Sequence, residues 1–178
     1  VRDWVGNGVE RLVRRALTGQ LEGEPENADF ERAYPGFLDL YADNTSKRSA
    51  LYPGVKEGLA YLKAAGYKLG CVTNKAEQFT TPLLQDLGVY DDFAIVVAGD
   101  TLPVKKPDPG PLLHAAGFFG VSPGQSLMLG DSISDVKAAR AAGFQIVGMS
   151  YGYNHGEDIR NYDPDLVIDS MEELKTLL

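Results

Sequence analysis

The chain has 178 residues, of which 44% are hydrophobic, and a formal net charge of -8. This size suits one medium domain or a core with a small appendage, and so acidic a chain is not expected to bind nucleic acid, which needs a clustered basic face. No apolar run approaches the roughly 18 residues that span a bilayer, and the single cysteine, Cys71, excludes an internal disulfide, so we expect a cytoplasmic protein without a membrane segment. A small anionic substrate remains compatible with the charge, because a pocket can carry a local positive potential.

The first 46 residues predict a helical unit of their own. Apolar residues repeat at three- and four-residue steps from Val5 to Leu17, Gly19 ends this helix, and a second helix is predicted over 29–43. The composition changes between 45 and 51, so we expect a helical domain at 1–46 and a second domain at 47–178. Three arginines of the first helix are expected to form a solvated face: Arg11, Arg14 and Arg15.

From residue 47 onwards, short apolar strands alternate with helices, which is typical of βαβ units on a parallel sheet. The predicted strands lie at 68–73, 94–98, 126–129, 145–149 and 166–168. The predicted helices lie at 55–65, 76–87, 109–119, 133–142 and 171–178. This order predicts an α/β fold with a Rossmann-like, doubly wound parallel sheet.

Two carboxylates four residues apart follow the third predicted strand. Asp131 and Asp135 come directly after a short apolar run and Gly130. In open α/β sheets, ligands bind in the crevice outside the carboxyl ends of the strands, so these acids are candidates for a functional site. The alternative is that Asp131 or Ser132 only caps the helix that follows, since both residue types are common at that position.

The first two predicted strands also lead into polar groups. Thr73 and Asn74 follow the first strand, although Thr73 could instead cap the next helix. Lys106 follows the second strand among prolines that restrict the backbone. Together with the two aspartates, Thr73 and Lys106 form the equipment of phosphoryl transfer, in which Lys106 supplies a fixed positive charge and the acids hold Mg²⁺.

These motifs, in this order, resemble those of the haloacid dehalogenase-like hydrolases. The matching residues are Thr73, the run Lys106-Pro107-Asp108-Pro109, and the run from Gly130 to Asp135. The resemblance implies a mobile helical cap, an aspartyl-phosphate intermediate and Mg²⁺. It implies that Lys106 and Thr73 are catalytic, that Thr73, Asn74, Lys106 and Asn7 bind substrate, and that Asp131 and Asp135 bind the metal.

Within that family, the chain looks most similar to enzymes that hydrolyse 2-phosphoglycolate to glycolate and phosphate. This closer resemblance is carried by residues 4–10, 15–17, 72–75 and 151–154. For Asn7 a kink between two glycines is the alternative, and for 151–154 a turn built on Gly152 is an equally good explanation.

The chain departs from the family pattern at its beginning. The family's first motif, D-x-D-G-T, carries the nucleophile and the acid/base, and no segment before the cap holds it here. We therefore expect that the first strand of the sheet is missing, that the nucleophile lies upstream of Val1, and that the neighbouring strands have exposed edges. A polypeptide of these 178 residues alone is expected to have negligible phosphatase activity.

Three other functions remain open at this point. The protein could be another sugar-phosphate phosphatase or a mutase of the same family, because details of the cap decide the substrate. It could be a receiver-like phosphotransfer domain, although the helical segment before the core and the late position of the two aspartates count against this. It could also be a non-catalytic fragment that binds a partner through an exposed sheet edge.

Overall fold

The computed structural model describes residues 4–6 and 8–178. Its α-helices are α1 (Val9–Thr18), α2 (Asn27–Ala42), α3 (Val55–Ala64), α4 (Glu77–Asp86), α5 (Gly110–Phe119), α6 (Ile133–Ala142) and α7 (Leu174–Leu177). Its strands are β1 (Gly70–Val72), β2 (Ile95–Val97), β3 (Leu127–Gly130), β4 (Gln145–Met149) and β5 (Leu166–Ile168). Short 3₁₀ helices lie at Tyr90–Asp92, Pro123–Gln125, Ile159–Tyr162 and Met171–Glu173. In the part of the chain that the structure describes, no helix has the length and apolar character needed to cross a membrane.

The five strands form two parallel sheets. β1 pairs with β2, with Val72 opposite Val97, and the second sheet has the order β3-β4-β5. Within the described residues, no ladder joins β1 to β3. The parallel α/β architecture is therefore confirmed, and its division into two sheets agrees with the expectation that neighbouring strands have exposed edges.

Both faces of the three-stranded sheet are covered by apolar side chains. Successive residues of β4 point to opposite faces, so Ile146 packs into one cluster with Leu112 of α5, while Val147 packs into another with Leu59 of α3. Ile146 and Leu112 have 0% and 1% of their surface exposed. This two-sided burial holds β3 and β4 rigidly, and it fixes the point at which β3 ends and Asp131 begins.

The first helix begins later than the apolar pattern predicts. Gly6 and Gly8 have φ angles of 127° and 95°, a backbone conformation that a continuing right-handed helix does not contain, so α1 starts only at Val9. The prediction that Val5 belongs to this helix is wrong. Residues 4–6 and 8 instead lie outside the helix and lead into it, and we call them the approach segment.

The three arginines of α1 have different surroundings. Arg11 and Arg14 lie on the surface and pair with Glu22 at 2.6 Å and with Glu24 at 3.0 Å, respectively, as expected of a solvated face. Arg15 is only 2% exposed, so its assignment to that face is wrong. Its guanidinium donates hydrogen bonds to three main-chain carbonyls: Leu21 at 2.9 Å, Trp4 at 2.9 Å and Gly6 at 3.2 Å.

Arg15 thus fastens the approach segment and the loop after α1 to the same helix. No carboxylate lies within ion-pair distance of Arg15 among the residues that the structure describes. Burial lowers the pKa of this guanidinium, and the charge of Arg11 acts in the same direction.

The carboxyl end of α2 contacts the rest of the molecule at α4. The ring of Tyr41 lies edge-on to the ring of Phe79, with centroids 4.9 Å apart, and the Lys75 Nζ lies 4.6 Å from the centroid of the Tyr41 ring. Ser46 Oγ also donates a hydrogen bond to the carboxylate of Asp86. These contacts join the first helices to the strand end that carries Thr73 and Asn74.

Candidate active site

The strand end after β1 presents Thr73 and Asn74. Thr73 Oγ1 accepts a hydrogen bond from the Lys75 N–H at 3.1 Å and does not cap a helix. Helix α4 begins at Glu77, whose N–H donates to Asp100 Oδ1 at 2.8 Å. Asp100 therefore serves the amino end of α4. Asp100 follows β2 in the sequence, so no local pattern indicated that it contacts α4.

Lys106 lies between the two sheets. Its side chain is 9% exposed, and its Nζ donates to the Val72 carbonyl at the end of β1 and pairs with Asp135 Oδ1, each at 2.7 Å. Asn74 Nδ2 donates to the Lys106 carbonyl at 2.8 Å, which fixes the main chain at the lysine. Lys106 is therefore a buried, oriented cation that connects the end of β1 to the first turn of α6.

Asp135 uses both oxygens of its carboxylate within the protein. Oδ1 pairs with Lys106, and Oδ2 accepts from the N–H groups of Asp131 and Ser132, both at 3.1 Å, and from Ser132 Oγ at 2.8 Å. Ser132 and Asp135 form a capping box, so the helix-capping alternative is confirmed for Ser132 and not for Asp131. A Cβ atom at Gly130 would lie 2.3 Å from the Asp135 Cβ, which is why the strand must end in glycine.

Asp131 carries the most perturbed carboxylate of this site. Its Oδ2 accepts a hydrogen bond from the Tyr153 N–H at 2.9 Å. Burial, and then the negative charge of Asp135, raise the pKa of Asp131 to about 6, although the Tyr153 hydrogen bond and the charge of Lys106 oppose the shift. A cation next to this carboxylate would offset the unfavourable energy of its charged form.

The donor set at this strand end fits Mg²⁺ held in an open site. Mg²⁺ is commonly bound through one or two carboxylates and completes its shell with water and substrate phosphate. Asp131 has one oxygen besides the one that Tyr153 holds, whereas both Asp135 oxygens are engaged, so direct ligation by Asp135 stays a prediction. Within residues 4–6 and 8–178, no group of three or more His, Cys, Asp or Glu side chains forms a closed metal cage.

The turn after β4 forms one wall of the site. Gly152 has a φ of 121°, so the turn-forming alternative is correct for it, and this turn also contacts Asp131 directly. Asp131 and the turn line a cavity of about 230 Å³. Asn154 is only 8% exposed and reaches α6, a role that the sequence did not indicate.

Two glycines of the approach segment lie close to residues next to the site. A Cβ atom at Gly8 would lie 3.6 Å from the Lys105 Nζ, and one at Gly6 would lie 3.2 Å from His155 Cε1. Gly6 therefore lies near the turn after β4, and Gly8 lies near the residue that precedes Lys106. Asn7, which stands between them in the sequence, lies outside the described residues, and its contact with substrate stays a prediction.

Comparison with known proteins agrees with this geometry. The family model of the haloacid dehalogenase-like hydrolases matches residues 10–149. A phosphoglycolate phosphatase of Nitrosococcus oceani is 68% identical over all 178 residues, which cover 79% of that protein, and one of Thiobacillus denitrificans is 47% identical over 97% of this chain and 76% of its own length.

Solved structures give the same result for the fold. A crystal structure described as a predicted phosphoglycolate phosphatase from Haemophilus somnus superposes with a TM-score of 0.92 at 37% identity, over 99% of this chain and 80% of that one. CbbY from Rhodobacter sphaeroides in complex with xylulose-1,5-bisphosphate has a TM-score of 0.72 at 26% identity, over 96% of this chain and 76% of that one. The chain therefore belongs to the haloacid dehalogenase-like hydrolases.

Proposed function

We propose that this protein hydrolyses 2-phosphoglycolate to glycolate and phosphate with the help of Mg²⁺. The observation that carries the proposal is the buried Lys106, fixed by Val72 and Asp135 beside the perturbed carboxylate of Asp131. The names of the relatives from Nitrosococcus oceani and Thiobacillus denitrificans support the choice of substrate.

The residues of this chain have separate tasks in the proposed reaction. Lys106 provides positive charge toward the phosphoryl oxygens, where most of the catalysis of phosphoryl transfer arises. Thr73 offers its hydroxyl to the same group, and Asn74 holds Lys106 through one amide N–H and retains the other for substrate. The phosphorus–oxygen ester bond breaks, and water supplies the hydroxyl of the phosphate and the proton of glycolate.

Asp131 is the proposed direct ligand of Mg²⁺. The ion neutralises charge on the phosphate oxygens when it is bound. Asp135 contributes by holding Lys106 and the main chain at Asp131 and Ser132, and it reaches the metal through water or directly.

The helical segment at 1–46 is proposed to act as a cap on the domain at 47–178. Gly6 lies near His155 and Gly8 near Lys105, which suits selection of a small substrate by this segment, with Asn7 as the proposed contacting residue. We place this activity in the cytoplasm, because a chain with one cysteine forms no internal disulfide.

The test is phosphate release by the natural polypeptide that carries this sequence. We expect 2-phosphoglycolate to be hydrolysed with a higher kcat/KM than glucose 1-phosphate or xylulose-1,5-bisphosphate, and chelation of Mg²⁺ to abolish the reaction. Lys106→Ala and Asp131→Ala should each lower kcat by about 100-fold or more. Lys137→Ala, a change at an exposed lysine of α6, is the control and should leave kcat unchanged.

Two results would contradict the proposal. Faster turnover or isomerisation of a sugar phosphate would assign the chain to another phosphatase or a mutase of the family. Near wild-type turnover in Lys106→Ala or Asp131→Ala would show that the reaction takes place elsewhere.

A further inference from the structure

The turn after β4 is anchored to α6 through the side chain of Asn154. Asn154 Oδ1 accepts the N–H of Ile133 at 2.9 Å, and Nδ2 donates to the Glu157 carbonyl at 3.1 Å. Ile133 is the first residue of α6, where main-chain N–H groups have no partner inside the helix. Asn154 has 8% of its surface exposed and is therefore a buried amide. It pairs with a main-chain N–H group of α6 and with a main-chain carbonyl of its own turn.

The residues just before Asn154 contact the carboxylate of Asp131. The Tyr153 N–H donates to Asp131 Oδ2 at 2.9 Å. A Cβ atom at Gly152 would lie 2.0 Å from the same oxygen, so the carboxylate packs directly against the main chain of the turn. The orientation of Asp131 thus depends on where this turn lies.

The position of this turn depends on Asn154. Its hydrogen bond joins the turn to the first residue of the helix that also carries Asp135, and it lies one residue from the N–H that holds Asp131. A 1 Å shift of the turn away from Asp131 would break the Tyr153 hydrogen bond, because the donor–acceptor distance of 2.9 Å would then exceed the usual limit of about 3.2 Å. The bonds to Ile133 and Glu157 prevent that shift.

We propose that Asn154 is a positioning residue, which holds Asp131 in the orientation that binds Mg²⁺ without touching the metal or the substrate. The inference rests on the proposed function for the identity of the metal. It requires that removal of the Asn154 amide weaken metal binding more than it affects substrate binding or the fold.

The test compares Asn154→Ala with the wild-type natural polypeptide that carries this sequence, using Mn²⁺ as a paramagnetic probe of the Mg²⁺ site. We expect Mn²⁺ affinity to fall about tenfold, as is typical when a group behind a metal ligand is removed. The KM for 2-phosphoglycolate at saturating Mg²⁺ should change less than twofold. Hydrogen exchange at the Ile133 and Tyr153 amides should become faster.

Two further variants separate positioning from a general loss of structure. Asn154→Asp keeps an acceptor for the Ile133 N–H but loses the donor to the Glu157 carbonyl, so it should retain the slow exchange of the Ile133 amide and recover part of the Mn²⁺ affinity. Asn161→Ala changes an exposed asparagine of the nearby 3₁₀ helix and should bind Mn²⁺ like the wild type. Asn154→Asp also gives a result if Asn154→Ala does not fold, since loss of Mn²⁺ binding with a protected Ile133 amide would overturn the inference.

The failure of this inference can be told apart from the failure of the proposed function. Wild-type Mn²⁺ affinity in a folded Asn154→Ala variant, with Mg²⁺-dependent hydrolysis intact, overturns the role of Asn154 and leaves the function in place. Hydrolysis of 2-phosphoglycolate that needs no divalent ion, in a wild-type protein that binds no Mn²⁺, overturns both.

Discussion

Replacement of Asp131 by asparagine is expected to stabilise the fold above pH 6 while it removes activity. Burial and the charge of Asp135 make the charged carboxylate unfavourable in the folded protein. Asparagine has nearly the same shape, and its Oδ1 can still accept the Tyr153 hydrogen bond. The substitution thus removes the unfavourable charge and keeps the contact.

The pKa of Asp131 gives the size and the sign of this effect. It rises from 3.8 to about 6, and one pH unit of difference between the folded and unfolded states corresponds to about 1.4 kcal/mol. Below about pH 3 the group is protonated in both states and costs nothing. As pH rises, the unfolded chain loses the proton first, so the cost grows until about pH 6 and then stays near 3 kcal/mol.

Urea unfolding without divalent ions, at several values between pH 3 and 8, measures this difference. We expect Asp131→Asn to exceed the wild type by up to about 3 kcal/mol at pH 8 and to match it near pH 3. Asp91→Asn, a change at an exposed aspartate, should give a difference near zero throughout. Mg²⁺ should stabilise the wild type and not Asp131→Asn. A variant less stable than the wild type at pH 8, or a difference that does not change with pH, would refute the reasoning.

Three more predictions follow from buried groups. Lys106→Ala should lower the free energy of unfolding by about 3 kcal/mol, because it leaves the 4%-exposed Asp135 without its cation; urea unfolding at pH 7 checks this, and an unchanged midpoint would contradict it. Arg15→Met should lower the free energy of unfolding by about 2 kcal/mol, because three carbonyls lose their donor. Thermal unfolding checks this, and Arg32→Met, a change at an exposed arginine, should have little effect in that assay. Burial raises the pKa of the Cys71 thiol, so a disulfide reagent at pH 7.5 should react much more slowly with the native protein than with the protein in urea, and equal rates would be inconsistent with the structure.

Much of the core could be predicted from sequence because its signals are local. The bounds of β4, β5 and α6 agree with the apolar pattern, since each is a short segment with a clear turn residue next to it. The predicted helix through Val5 failed at Gly6 and Gly8, whose positive φ values the periodicity of the valines could not indicate.

The roles within the site depended on contacts between distant parts of the chain. Asp131 and Ser132 are both residue types that commonly cap helices. The carboxylate of Asp131 is instead bound by the Tyr153 N–H, which lies 22 residues further along the chain. Arg15 shares its helix with Arg11 and Arg14, and Arg11 also donates to the Leu21 carbonyl, but Arg15 is buried because it donates to the carbonyls of Trp4 and Gly6 as well. The gap between β1 and β3 was expected from the resemblance to the family and not from any local pattern.

The two hydrogen-bonding tasks of Lys106 affect how distant members of this family should be interpreted. Its Nζ connects the end of β1 to Asp135 on α6 and so contributes to the fold as well as to the site. A descendant that had lost catalysis would still be under selection to keep this lysine for folding. The presence of the lysine alone is therefore weak support for activity in a diverged relative, whereas a change at Asp131, which the fold itself disfavours in its charged form, would be a more sensitive sign that catalysis has been lost.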